Sequence, residues 1–102
     1  MSKFAMFGKL VAHPGQRDAL VNVLVEAAST LGRLPECEQY MVSVVEDEPD
    51  AKWVTELWAD EHAHARSLQS DAVRALVQRG MPLIAKIPQQ ERLRPVGGKG
   101  LT

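Results

Sequence analysis

Apolar and polar positions along the chain fall into short blocks of two different periods. From Phe4 to Ala12 a period of two puts Phe4, Met6, Gly8 and Leu10 on one face and Ala5, Phe7, Lys9 and Val11 on the other. Both faces are mostly apolar, which predicts a central strand covered on both sides. Gly8 within it marks a bulge or a close approach by another group. His13-Pro14-Gly15 turns the chain, with Pro14 placed where a proline suits the first turn of a helix. The period then changes. Leu20, Leu24, Ala27, Leu31 and Leu34 recur at steps of four and three, widened by Val21, Val25 and Ala28, which predicts an amphipathic helix of about five turns. It stops between Gly32 and Pro35.

Residues 39–46 are rich in β-formers (Tyr40, Val42, Val44, Val45) and predict a second strand. Asp47-Glu48-Pro49-Asp50 is a polar turn, and residues 52–58 a third strand, so the two form a hairpin. Asp60 is a suitable cap for a short helix over 61–68, and Ser70 or Asp71 for another whose buried face is Val73, Leu76, Val77 and Met81. Pro82 ends or kinks that helix. Residues 90–96 are a weaker last strand, and residues 97–102 a flexible tail. The order β-α-β-β-α-β is that of an α+β, ferredoxin-like split βαβ fold with a four-stranded antiparallel sheet. Helices cover one face of such a sheet. The strands here are apolar on both faces, which predicts a homodimer closing into a dimeric α/β barrel.

With 102 residues there is room for a single domain, spanning 1–102, and its own core is modest. A formal net charge of −1 without a basic block argues against nucleic acid as partner. Cys37 is the sole cysteine, so neither an intrachain disulfide nor a thiolate metal cage is open to the chain. Lys9 interrupts the N-terminal apolar stretch, and no run approaches the ~18 apolar residues of a membrane span. The expectation is a cytoplasmic protein that does not enter a membrane.

Candidate chemistry concentrates where the third strand runs into the following helix, Glu56-Leu57-Trp58 through Leu68. Val54, Glu56 and Trp58 share a strand face, and His64 and Ser67, three apart, are neighbours on a helix. A Trp wall, an imidazole and a hydroxyl can meet at one pocket mouth. His62 and His64, two apart, point to different sides, which makes a metal pair there unfavourable. Glu56 on an apolar face needs a partner, for which Arg92 and Arg94 are candidates.

Glu56-x-Trp58 followed by Ala63-His64 resembles the antibiotic biosynthesis monooxygenase family, which includes quinol monooxygenases. Phe7-Gly8-Lys9 with Pro14-Gly15, Leu34-Pro35 with Cys37, Met81-Pro82-Leu83-Ile84 and Pro95 to Leu101 extend the resemblance over nearly the whole chain. It implies a homodimer with a cavity in each subunit and O2-dependent oxidation of a quinol or polyphenolic small molecule, with no cofactor and no metal. An electron-rich phenolate reduces O2 itself, so the site needs a dry pocket, a base and a donor for the developing anion. His64 is the candidate base, since imidazole titrates near neutral pH as a class. Trp58 offers a flat wall and an N–H, and Ser67 can orient either. Ser67 and Leu68 stand where many relatives, including haem degraders, carry a histidine, and the first strand lacks the haem degraders' asparagine. Haem degradation is disfavoured on both counts.

Each residue also has a plain structural explanation. Trp58 can be a core plug, His64 a solvent-facing residue of a first turn, Ser67 an ordinary helix hydroxyl and Cys37 an inert small hydrophobe. The alternative function is a non-catalytic dimeric binding protein for a hydrophobic small molecule.

Overall fold

The computed structural model describes residues 2–101; Met1 and the last residue of the expected tail, Thr102, lie outside them. Strand β1 (Phe4–Ala12) is the central strand that its two apolar faces predict. It lies between β3 (Glu48–Trp58) and β4 (Ile84–Leu93), with β2 (Cys37–Val45) beyond β3, so the order is β2-β3-β1-β4 and every pairing is antiparallel. Helices α1 (Arg17–Leu31), α2 (Glu61–Ser67) and α3 (Asp71–Gly80) complete the ferredoxin-like α+β fold.

Helix α1 starts later than Pro14 suggests. Pro14-Gly15 instead form a tight turn, closed by the Gln16 N–H donating to the His13 carbonyl at 3.0 Å. Gly15 sits at φ +82°, the left-handed region that its missing Cβ allows. The α1 stripe is buried at Leu20, Leu24, Ala27 and Leu31, whereas Leu34 lies beyond the helix and is partly exposed. Of the expected buried face of α3, Val73 and Leu76 are buried, whereas Val77 and Met81 are about half exposed. Both cap predictions hold. The Asp60 carboxylate accepts from the Ala63 N–H at 2.8 Å, and the Ser70 hydroxyl from the Val73 N–H at 3.1 Å.

The hairpin turn is tighter than expected, only Glu46 and Asp47, so Pro49 lies inside β3. The ladder with β2 shifts there: Val45 faces Glu48 but Val44 faces Lys52. Pro49 falls in the skipped stretch, where it withholds no ladder hydrogen bond, and its carbonyl accepts from the buried Lys52 ammonium at 2.6 Å. The last strand also begins six residues earlier than its sequence suggests. It is an edge strand, largely exposed, so it carries little apolar alternation to read. Lys9 faces Gln89 and Val11 faces Lys86, so Ile87 and Pro88 together oppose Leu10 in a bulge that tolerates the proline.

One sheet face packs against the helices through two clusters. Phe4, Leu31, Trp58, Ala63 and Val73 form one, and Ala12, Leu20, Leu24 and Val54 the other; Tyr40 touches both. The opposite face has no helix on it. There the Phe7 and Trp53 rings lie tilted against each other, centroids 5.6 Å apart, with Met41 and Leu93 about half exposed. No helix of the described residues is long and apolar enough to cross a membrane.

Candidate functional site

A cavity of about 310 Å³ lies between the sheet and helices α1, α2 and α3. Its walls are apolar except for Tyr40, Glu56, His64, Ser67 and Gln90. Four of these converge because of two local rules. Tyr40 and Glu56 face each other directly across the β2–β3 ladder, so both side chains project from the same sheet face. The Asp60 cap starts α2 at a fixed point just past Trp58, which brings His64 and Ser67 over that face.

Of the three residues singled out from sequence, His64 and Ser67 line the cavity and Trp58 does not. Trp58 is 1% exposed, packed behind the wall against Phe4 and Val73. Its indole N–H donates to Glu56 Oε1 at 3.0 Å. Neither Arg92 nor Arg94 partners Glu56. Arg92 pairs with Glu61 on α2 and lies over the Phe4 ring at 5.0 Å.

The His64 ring is held edge-on to Trp58 at 5.5 Å and tilted against Phe4 at 5.1 Å. Its Nε2 stands 3.9 Å from Glu56 Oε1, ion-pair range but longer than a hydrogen bond. Both side chains are largely sheltered, at 12% and 15% exposure. Ser67 spends its proton on the His64 carbonyl at 2.6 Å, leaving acceptor capacity only.

Glu56 sets the electrostatics of the site. Burial, and then the Glu56 charge, push the Tyr40 phenol well above its ordinary range, with Cys37 adding to the effect. The same two causes raise the Cys37 thiol, whose Sγ donates to the Gln39 carbonyl at 3.7 Å. That thiol is poorly disposed to act as a nucleophile. Among the described residues no group of three or more His, Cys, Asp or Glu side chains is placed to hold a metal ion.

Sequence reasoning missed two site residues. Glu56 stood out as an oddly placed carboxylate but was given no role, and Tyr40 counted only as a β-former. The signal for both is their shared ladder rung, which becomes visible only once the hairpin register is known.

A ferredoxin-like sheet with a sheltered cavity under its helices defines a class of small α+β domains, and the comparisons place the chain within it. The profile of the family described as antibiotic biosynthesis monooxygenase matches residues 4–79. A crystal structure named as a putative antibiotic biosynthesis monooxygenase from Chloroflexus aurantiacus J-10-fl is 40% identical, covering 99% of this chain and 100% of that one, with a TM-score of 0.89. A protein similarly named from Caulobacter crescentus CB15 is 22% identical over 94% of this chain and 92% of that one, TM-score 0.86. Rv0793 from Mycobacterium tuberculosis, 16% identical over 96% of this chain and 99% of that one, has a TM-score of 0.85. The last two speak for the fold alone. No curated protein matches the chain. The chain belongs to the antibiotic biosynthesis monooxygenase family.

Proposed function

We propose that the chain is a cofactor-independent monooxygenase that oxidises a quinol or polyphenolic small molecule with O2. The observation that carries this reading is the His64–Glu56 pair, set 3.9 Å apart in the wall of an otherwise apolar cavity. An imidazole beside a carboxylate in a mostly apolar cavity suits proton abstraction from a phenolic hydroxyl. The carboxylate then stabilises the imidazolium that forms.

The phenolate supplies the electrons. It passes one to O2, and the resulting radicals combine at a ring carbon to give a hydroperoxide. Loss of water leaves a carbonyl: one oxygen atom stays on the ring, and the other departs with two substrate hydrogens. Trp58 acts from behind the wall by holding Glu56 through its N–H, and Ser67 stabilises the turn of α2 that presents His64. The working unit is a homodimer, with a second copy on the face that carries Phe7 and Trp53.

The test is O2 uptake in metal-free buffer with a panel of reduced quinones. Replacing His64 with Ala is expected to lower the rate by about 100-fold or more, the usual contribution of a general base. Equal background rates for wild type and His64→Ala would overturn the mechanism. The predominance of apolar side chains around the cavity supports a second reading, a binding protein for a hydrophobic small molecule. Its signature is a ligand that raises the melting temperature without being turned over.

A further inference from the structure

The cavity needs a hydrogen-bond donor for a ring oxygen, and most candidates on its walls are already spent. The Trp58 N–H is committed to Glu56 behind the wall, and the Ser67 proton to the His64 carbonyl. Gln90 also reaches the wall, but from the exposed edge strand β4, where water competes for its amide. The Tyr40 hydroxyl is the more sheltered donor. It takes part in no side-chain hydrogen bond among the described residues, yet no buried side-chain oxygen or nitrogen among them lacks a partner. Its oxygen is therefore not closed off by the packing around it, and the cavity is the space that the Tyr40 side chain lines.

We infer that Tyr40 is the residue that donates a hydrogen bond to the oxygen of the bound aromatic ligand, opposite the acceptor side formed by Glu56 and His64. The inference rests on the reading that the cavity takes an oxygenated ring. Tyr40 and Glu56 share one rung of the β2–β3 ladder, so donor and acceptor flank the same part of the cavity. A carbonyl oxygen of the ring is repelled by the Glu56 carboxylate and attracted by the Tyr40 O–H, whereas a ring hydroxyl turns its proton to the His64–Glu56 side, which fixes which way the ring points. Burial and the Glu56 charge keep the Tyr40 proton in place as pH rises, so the hydroxyl remains a donor. Tyr40 also packs against both core clusters, which holds the ring rigid and the hydroxyl aimed.

The experiment uses two probes of one ring frame that cannot be turned over: 1-tetralone, with a single acceptor oxygen, and tetralin, with none. Tyr40→Phe removes only the hydroxyl, and its melting curve checks that the fold is kept. Tetralone is expected to bind Tyr40→Phe about 3- to 10-fold more weakly than wild type, the loss of one hydrogen bond. Tetralin affinity is expected to be unchanged. The carbonyl stretch of bound tetralone should lie at lower frequency in wild type than in Tyr40→Phe. A purely structural role for Tyr40 would weaken both probes alike and leave that frequency unmoved, and either result overturns the inference.

Oxygen uptake separates this failure from failure of the oxygenase reading. A Tyr40-dependent carbonyl shift in a wild type that consumes no O2 sinks the oxygenase and leaves the donor standing. Quinol oxidation with an unshifted carbonyl does the reverse. Wild type that binds neither probe overturns the donor inference, and the oxygenase reading then stands or falls on O2 uptake alone.

Discussion

At the scale of single residues, the site is organised by one charge and two hydroxyls of opposite fate. Ser67 gives its proton to the helix that carries it, and Tyr40, which lines the cavity, gives its own to no side chain among the described residues. Because Tyr40 is the sole tyrosine, tyrosinate absorbance reports it alone. Its signal is expected above the ordinary value of 10.0, and Glu56→Gln should move it back toward that value. The linked stability follows in sign. With the folded pKa raised, the contribution is complete below the unfolded value and is lost as pH rises through the alkaline range. Melting temperatures of wild type should therefore fall at alkaline pH more steeply than those of Tyr40→Phe. Parallel curves would remove Tyr40 as the cause.

At the scale of elements, the legible parts were those with strong periodicity or a capping side chain. Leu20, Leu24, Ala27 and Leu31 define α1 by spacing, and Asp60 and Ser70 mark the starts of α2 and α3 by chemistry. The edge strand β4 was misjudged because an exposed strand need not alternate, and Pro88 hides in its bulge. The hairpin hid the site itself. Counted straight back from the Glu46–Asp47 turn, Tyr40 would face Trp53 and point away from the helices. The ladder shift at Val44 restores it to the face of Glu56. Helix α2 is short enough that its cap matters. Asp60→Ala is expected to cost about 1 kcal/mol in urea unfolding. A loss of only a tenth or two would mean that packing alone places His64.

At the scale of the whole molecule, the uncovered sheet face is the feature that one small domain cannot resolve by itself. Phe7 and Trp53 lie tilted against each other there, with Met41 and Leu93 partly exposed beside them. Sedimentation is expected to give twice the 11.2 kDa of the chain, and Trp53→Glu is expected to shift it toward monomer. A wild type that remains monomeric at micromolar concentration would sink the paired arrangement. The apolar character of that face was legible in β1 and β3, because strands apolar on both faces read as nearly continuous hydrophobe. The order β2-β3-β1-β4 sets the two halves of the site on strands that breathe differently. Glu56 sits on an interior strand, laddered on both sides, whereas Tyr40 sits on β2, whose outer backbone groups have no ladder partner within the sheet. Edge strands open at lower free energy than interior ones, so the two halves of the site differ in their local unfolding. A ring held between them would act as a staple across that difference, ordering the frayed margin of the sheet from inside its own cavity.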